Sequence, residues 1–122
     1  MARILIIDDD LRLRQLLCKI LIKNKGYEVH DAANGKEGLK LIRKLSFDLV
    51  VTDIFMPGED GIGTIMELCE NYPNVKIIAI SGGGNVEDVD FLKLASYLGA
   101  QKVFQKPFDT AVFLSIVEEM LH

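Results

Sequence analysis

The sequence predicts an α/β fold in which a parallel sheet is covered by helices on both faces. Segments typical of strands and of helices alternate five times along the 122 residues. Residues 75–81 contain a continuous apolar run, as expected of a strand that is buried on both sides. Strands that are joined by helices in this way imply right-handed crossovers, so we expect a parallel sheet.

The five predicted strands are short, and the first, third and fourth are rich in apolar residues. They cover residues 3–8, 27–31, 48–53, 75–81 and 101–104, of which the last is the weakest. The first, third, fourth and fifth of these segments end at, or shortly before, the polar or charged residues Asp8, Asp53, Ser81 and Lys106. In open α/β sheets, ligands bind at the carboxyl ends of the strands, so this edge of the sheet is where we expect a functional site.

The predicted helices are identified by apolar stripes and by capping residues. The first covers residues 11–23, with the stripe Leu13, Leu16, Leu17, Ile20 and Leu21; the third covers 62–70, with the stripe Ile62, Ile65, Met66 and Cys69. Asn34 opens the second helix, with Glu37 at capping-box spacing, and Asp109 caps the fifth. The fourth is predicted to begin at Asn85 and to end near Leu98-Gly99.

Composition and charge exclude several classes of protein. Because 49% of the residues are hydrophobic, we expect a folded chain, with one domain covering residues 1–122. The net charge of −4, with no basic cluster, argues against nucleic-acid binding. Without a long apolar run or a signal peptide, we expect a cytoplasmic protein with no membrane segment, and Cys18 and Cys69 are interpreted as reduced thiols.

Carboxylates follow two of the predicted strands. Asp8 and Asp9 come at the end of the first strand, and Asp53 ends the third. Three carboxylates approach one another only if their repulsion is offset, and Mg²⁺ prefers such oxygen ligands. Acidic residues after a strand are also common helix caps, a role that we assign to Asp10. The three matched positions nevertheless favour a Mg²⁺ site.

A hydroxyl and an ammonium follow the other two strands. Lys106, beside Pro107, is predicted at the same edge as the acids, where an ion pair with a carboxylate or a phosphoryl oxygen is favoured over a solvated role. The Lys106-Pro107 bond is a candidate cis bond. Ser81 either bonds local backbone or donates to a phosphoryl oxygen. The glycines at 82–84 match no nucleotide-binding motif, and neither His30 nor His122 is a candidate ligand.

Together, these motifs resemble the receiver domains of two-component response regulators along the whole chain. The residues that carry the resemblance are Asp8-Asp9, Thr52-Asp53 with Met56-Pro57-Gly58, Ser81-Gly82 and Lys106-Pro107-Phe108. The resemblance implies a flavodoxin-like doubly wound sheet of five parallel strands in the order 2-1-3-4-5, with five helices. We favour the interpretation that the chain is a stand-alone regulator. A receiver cut from a larger regulator or hybrid kinase stays an open alternative.

The resemblance also implies a function and a role for each site residue. Asp53 would accept a phosphoryl group from a phosphohistidine on a sensor histidine kinase or a histidine phosphotransfer protein. Asp9, Asp53 and the backbone carbonyl of Phe55 would coordinate Mg²⁺, with Asp8 acting through a bound water, while Ser81 and Lys106 would bind the phosphoryl oxygens. Such a domain is a signalling phosphoacceptor rather than an enzyme, although it phosphorylates itself from small donors and loses the phosphoryl group to water.

The resemblance further implies that phosphorylation changes the face formed by the fourth helix, the fifth strand and the fifth helix. This face would contact a downstream effector protein, or a second copy of the chain in a homodimer. At the position of the family's usual aromatic switch residue, three before Lys106, the chain has Val103, and Phe104 is predicted to point into the core. The bulk of Phe55 is predicted to slow hydrolysis of the acyl phosphate.

Two other functions remain alternatives. One is an aspartyl-phosphate phosphatase similar to haloacid dehalogenases. Those enzymes need a cap for the substrate and an aspartate two residues after the nucleophile. Here Asp53 is followed by Ile54-Phe55 instead. The other is an interaction module that works without phosphorylation. An unused carboxylate cluster would only destabilise the fold, which argues against this module, whereas Val103 keeps it open.

Overall fold

A computed structural model shows one five-stranded sheet and describes residues 1–56, 59–82, 93 and 95–122, with 25, 55–56 and 59–60 described by backbone alone. The strands are β1 (Arg3–Ile7), β2 (Glu28–Ala32), β3 (Leu49–Asp53), β4 (Lys76–Ser81) and β5 (Lys102–Gln105). All pairs in this sheet are parallel, in the order β2-β1-β3-β4-β5. The predicted fold class and strand order are confirmed.

Helices follow the strands as predicted. They are α1 (Leu11–Lys25), α2 (Gly35–Lys44), α3 (Gly61–Asn71), α4, whose described helical residues are 93 and 95–98, and α5 (Thr110–Leu121). The predicted start of α4 at Asn85 lies outside the described residues. Among the described helices, none has both the length and the apolar character that a bilayer span requires.

Helix ends are fixed by the side chains that the sequence indicated. Asn34 Oδ1 accepts a hydrogen bond from Glu37 N at 2.9 Å, and Asp109 Oδ1 accepts one from Ala111 N at 2.8 Å. At the other end of α1, Gly26 adopts the left-handed conformation with φ of 66°, and its N–H donates to the Ile22 carbonyl. Only glycine adopts this conformation routinely, which explains why α1 ends there.

The core has two layers because alternate strand residues point to opposite faces of the sheet. One layer joins the sheet to α2, α3 and α4; it includes Leu5, Val50, Ile77, Ile42, Ile65, Leu68 and Ala95. The other joins the sheet to α1 and α5; it includes Ile4, Ile6, Val51, Ile78, Leu17, Leu21, Phe113 and Val117. Each helix therefore buries one apolar side, and the sheet is covered on both faces.

The prediction that two residues of the apolar stripes are buried is wrong. Leu16 in α1 is 44% exposed and Met66 in α3 is 45% exposed. Successive helical residues are rotated by about 100°, so each of these side chains points well away from its buried neighbour, Leu17 or Ile65. An unpredicted element also follows β3, where residues 55–56 and 59–60 form a short antiparallel strand pair that leads into α3.

Candidate functional site

The carboxyl edge of the sheet brings the polar strand ends together. Register aligns Ile7 with Thr52 and Asp53 with Ile80, so the residues that follow β1 lie beside the end of β3. One carboxylate oxygen from each of Asp8, Asp9 and Asp53 lies within 4.8 Å of the others. The structure therefore places these three acids in one cluster, as the strand-end argument predicted.

Two of the three carboxylates are buried. Asp8 is 1% exposed and Asp53 is 3% exposed, whereas Asp9 faces solvent. Lys106 Nζ lies 2.9 Å from Asp53 Oδ2 and 3.1 Å from Asp8 Oδ2. A buried charge without a partner is strongly unfavourable, so the ammonium is the counter-charge that makes this arrangement possible. The Lys106-Pro107 bond is cis.

The charge state of Asp8 reflects its surroundings. Burial raises the pKa of the Asp8 carboxyl above its ordinary value of 3.8, and the nearby charge of Asp53 raises it further. A hydrogen bond from Asp10 N and the ammonium of Lys106 act in the opposite direction but do not cancel the rise. The site therefore favours a proton, or another positive charge, on Asp8.

Lys106 shows the complementary effect. Burial lowers the pKa of its ammonium, but the hydrogen bond to Asp53 and the charges of Asp53 and Asp8 outweigh burial and raise that pKa above its ordinary value of 10.5. The pKa values of Lys106 and Asp8 thus move in the same direction. The reason is that one ammonium faces two buried carboxylates, so the ammonium is strongly held and the acids remain under-compensated.

The backbone around Asp8 is held at several points. Asp8 N donates to the Ala32 carbonyl at 3.1 Å, and Asp10 N donates to Asp8 Oδ1 at 2.8 Å. Arg14 Nη1 donates to the Asp8 carbonyl at 2.7 Å. Asp10 Oδ1 accepts from Leu13 N at 3.2 Å, so Asp10 caps α1 as predicted and is not part of the acidic cluster.

Ser81, the last residue of β4, is fully buried. Its Oγ has no hydrogen-bond partner among the described residues, while its carbonyl accepts from Lys106 N at 2.6 Å. Most buried hydroxyls are hydrogen-bonded, so an unpaired one beside a charged cluster needs an explanation. It favours the second of the two roles considered for Ser81, donation to a ligand, over bonding to local backbone.

Two residues of this region were missed in the sequence analysis. At Gly61, the first residue of α3, an added Cβ would lie 2.2 Å from the Asp53 carbonyl oxygen, so only glycine lets the helix start against the end of β3. The Asp60-Gly61 pair before an apolar stripe was the available signal. Arg14 gave no such signal, because a charged residue in the first turns of a helix is common.

The structure also bears on predictions for residues outside the acidic cluster. His30 bonds Glu28 at 2.9 Å and packs edge-on against Phe47, away from the acids. Val103 is 40% exposed, whereas Phe104 packs against Phe108 and Phe113 in the core layer, which confirms the core prediction for Phe104. The assignment of the Phe55 carbonyl as a ligand stays a prediction. The glycines at 83–84 and the side chain of Phe55 lie outside the described residues.

The acidic cluster fits a hard divalent cation. It offers carboxylate oxygens from three residues in close proximity, and one ammonium is too little positive charge to balance them. Mg²⁺ is bound in proteins by one or two such carboxylates together with waters and phosphate oxygens. Hydroxyl and ammonium groups, which Ser81 and Lys106 offer here, are of the kind that bind phosphoryl oxygens in proteins.

The chain is similar to known proteins over nearly its whole length. Residues 4–118 match the family model of the response regulator receiver domain. The chain is 34% identical over 119 residues to sporulation initiation phosphotransferase F of Bacillus subtilis, covering 98% of this chain and 93% of that protein. It is 33% identical over 121 residues to the transcriptional regulatory protein CpxR homolog of Haemophilus influenzae, covering 99% of this chain but only 51% of that relative.

The fold is also similar to that of solved structures. The crystal structure of a CheY-like response regulator receiver domain protein from Methanospirillum hungatei matches with a TM-score of 0.86 and 32% identity. The match covers 99% of this chain and 94% of that one. Sequence and structure comparisons therefore point to the same family over nearly the whole chain.

Proposed function

The chain belongs to the response regulator receiver domain family, and from that premise we propose that Asp53 accepts a phosphoryl group in a Mg²⁺-dependent reaction. The donor is a phosphohistidine on a sensor histidine kinase or a histidine phosphotransfer protein. The observation that supports this most is the buried Asp53 carboxylate, whose Oδ2 lies 2.9 Å from the Lys106 ammonium beside a second buried acid. The protein is proposed to act in the cytoplasm.

In this proposal Asp53 is the nucleophile. One carboxylate oxygen attacks phosphorus in line with the bond to the histidine nitrogen, and the electron pair of that bond leaves with the imidazole. Phosphoryl transfer needs little covalent help beyond alignment and neutralisation of charge. Asp8 and Asp9, with Asp53 and the Phe55 carbonyl, would hold Mg²⁺, which supplies positive charge to the phosphoryl oxygens when it is bound.

Lys106 and Ser81 complete the site. The Lys106 ammonium, which now pairs with Asp53, would instead neutralise a phosphoryl oxygen on the modified side chain. The Ser81 hydroxyl, which has no hydrogen-bond partner within the described part of the chain, would donate to a second phosphoryl oxygen. Hydrolysis of the acyl phosphate by water then resets the domain, so the protein acts as a signalling phosphoacceptor rather than as an enzyme on a separate substrate.

The output surface is proposed to be the face formed by α4, β5 and α5. Tyr97 of α4, Val103 of β5 and Val112 of α5 are 88%, 40% and 51% exposed, so each of these elements has an exposed side chain available to a downstream effector or to a second copy of the chain. Ser81 ends β4, which pairs with β5, and therefore lies directly next to this face. A change at Ser81 on phosphorylation would shift the population of conformations that the face adopts.

The test is the intact mass of the protein after incubation with Mg²⁺ and phosphoramidate or acetyl phosphate. The wild type is expected to gain about 80 Da, the mass of one phosphoryl group. Asp53→Ala is expected to gain nothing, while Asp48→Ala, which removes an aspartate just before the other end of the same strand, is expected to react like the wild type. A wild type that binds Mg²⁺ but gains no mass would favour the phosphorylation-independent interaction module.

A further inference from the structure

The guanidinium of Arg14 joins the ends of two strands next to the acidic cluster. Its Nη1 donates to the Asp8 carbonyl at 2.7 Å, and its Nε donates to Asp31 Oδ2 at 2.7 Å. The Arg14 side chain is 14% exposed, whereas that of Asp31 is 45% exposed. Arg14 is therefore a largely buried cross-link between α1, the end of β1 and the end of β2.

The contact with the Asp8 carbonyl bears on both neighbouring acids. This carbonyl belongs to the peptide unit between Asp8 and Asp9, and a peptide unit is planar. Holding its oxygen therefore limits rotation of the backbone that carries both carboxylates. The N–H of Asp8 is held by the Ala32 carbonyl at 3.1 Å, so Arg14 supplies the second anchor, on the side of the exposed Asp9.

We propose that Arg14 is a positioning residue that holds the Asp8-Asp9 peptide in the orientation needed for divalent cation binding. This inference rests on the proposed function, because it concerns the use of the acidic cluster for Mg²⁺. Arginine suits the task because its planar fork donates in two fixed directions, here to a carbonyl and to a carboxylate. Groups that orient metal ligands in this way commonly change metal affinity without touching the ion.

A positioning role and a purely electrostatic role for Arg14 predict opposite changes in Mg²⁺ affinity when Arg14 is removed. A positive charge close to a cation site repels the cation, so removing the Arg14 charge would tighten Mg²⁺ binding if charge alone mattered. If Arg14 acts by positioning, removing it weakens Mg²⁺ binding despite the loss of that repulsion. The sign of the change therefore identifies the role.

The experiment is isothermal titration of the unphosphorylated protein with Mg²⁺, using the wild type, Arg14→Met and Arg14→Lys. Arg14→Met is expected to weaken binding by on the order of 10-fold, the lower end of the effects of such supporting residues. Arg14→Lys keeps the charge but loses the fork, and it is expected to show an intermediate loss. Arg43→Met, which breaks a more exposed arginine–carboxylate pair between α2 and α3, serves as the matched control and is expected to bind Mg²⁺ like the wild type.

Two further measurements separate positioning from a general loss of structure. Urea unfolding without metal establishes that each variant is folded, and if Arg14→Met is not, Arg14→Lys alone decides the test. The phosphorylation rate of a folded variant is expected to recover at saturating Mg²⁺, so that the half-saturating concentration changes and the maximal rate does not. Unchanged or tighter Mg²⁺ binding by the folded variants would overturn the positioning role, whereas a wild type that binds no Mg²⁺ would overturn the proposed metal use itself.

Discussion

Charged residues are exposed and paired at the amino edge of the sheet, whereas at the carboxyl edge two carboxylates are buried and only partly compensated. At the amino edge, Arg3 N donates to Asp48 Oδ2 at 2.8 Å, Arg3 Nη1 donates to the Ser46 carbonyl at 3.0 Å, and Lys76 Nζ donates to the Met120 carbonyl. These contacts are exposed, and the groups satisfy one another. At the carboxyl edge, two buried carboxylates share one ammonium, and a buried hydroxyl has no partner among the described residues.

The difference bears directly on the proposed ligand site. Exposed charges that pair with each other or with backbone contribute modestly to stability and need no further partner. Buried carboxylates that repel each other lower stability unless a cation joins them. The carboxyl edge therefore keeps an unfavourable arrangement that a bound cation would relieve, whereas the amino-edge contacts of Arg3 and Lys76 are already paired.

The largest expected effect compares one lysine from each edge. Lys106→Met leaves Asp8 and Asp53 buried without their ammonium, and we expect it to lower the free energy of unfolding by about 3 kcal/mol in metal-free protein. Lys76→Met removes an exposed lysine whose hydrogen bond caps α5, and we expect a loss of about 1 kcal/mol or less. Urea unfolding with EDTA measures both. Equal losses would remove the contrast between the two edges.

The next effect is the pH dependence that Asp8 contributes. Because the pKa of Asp8 is raised in the folded state, that state holds the proton more tightly than the unfolded chain does. In metal-free protein, Asp8 therefore stabilises the fold fully only below its ordinary pKa of 3.8. This contribution falls as the pH rises through the pKa of Asp8 in the folded state, and above that folded pKa it is lost.

Asp8→Asn removes this titration. We expect it to raise the metal-free stability at pH 7 by about 1 kcal/mol, a typical size for a single-site change, and to reduce the decline in stability with rising pH. The same variant should be stabilised less by added Mg²⁺ than the wild type, because it lacks one acid of the cluster. Thermal unfolding over a pH series, with and without Mg²⁺, measures both effects. If Asp8→Asn is less stable than the wild type at pH 7, the charge of Asp8 does not destabilise the metal-free protein, and this explanation is contradicted.

The smallest effect on stability is expected at Ser81. Since its hydroxyl makes no hydrogen bond among the described residues, Ser81→Ala should change the free energy of unfolding by no more than about 0.5 kcal/mol. The rate of phosphorylation by phosphoramidate should fall by roughly 10-fold, because one charge-assisted hydrogen bond to the phosphoryl group is lost. A stability loss of several kcal/mol would show that the hydroxyl has a structural role instead.

Much of the fold could be predicted because its signals are local. The caps at Asn34 and Asp109 depend on residues within one turn, and the strand-end acids follow from chain order once the sheet is parallel. The exposed Leu16 and Met66 were misplaced because an apolar stripe does not show where its edge meets the neighbouring element.

The support of the site was harder to predict because it depends on long-range contacts. The bond from Arg14 to the Asp8 carbonyl depends on where the first turns of α1 lie relative to β1. Its bond to Asp31 depends on the position of β2 beside them. Likewise, the need for glycine at 61 arises only when α3 starts against the Asp53 carbonyl, a contact that follows from the short strand pair before it.

The most direct test of the central claim is to locate the phosphoryl group on the chain. Borohydride reduces an acyl phosphate to an alcohol, so treatment of the phosphorylated protein should convert the acceptor aspartate to homoserine. Peptide mass analysis is then expected to find homoserine at position 53, and only when Mg²⁺ and a phosphoryl donor are both present. Homoserine at Asp8 or Asp9 instead, or at no aspartate in a protein that has gained phosphoryl mass, would contradict the role assigned to Asp53.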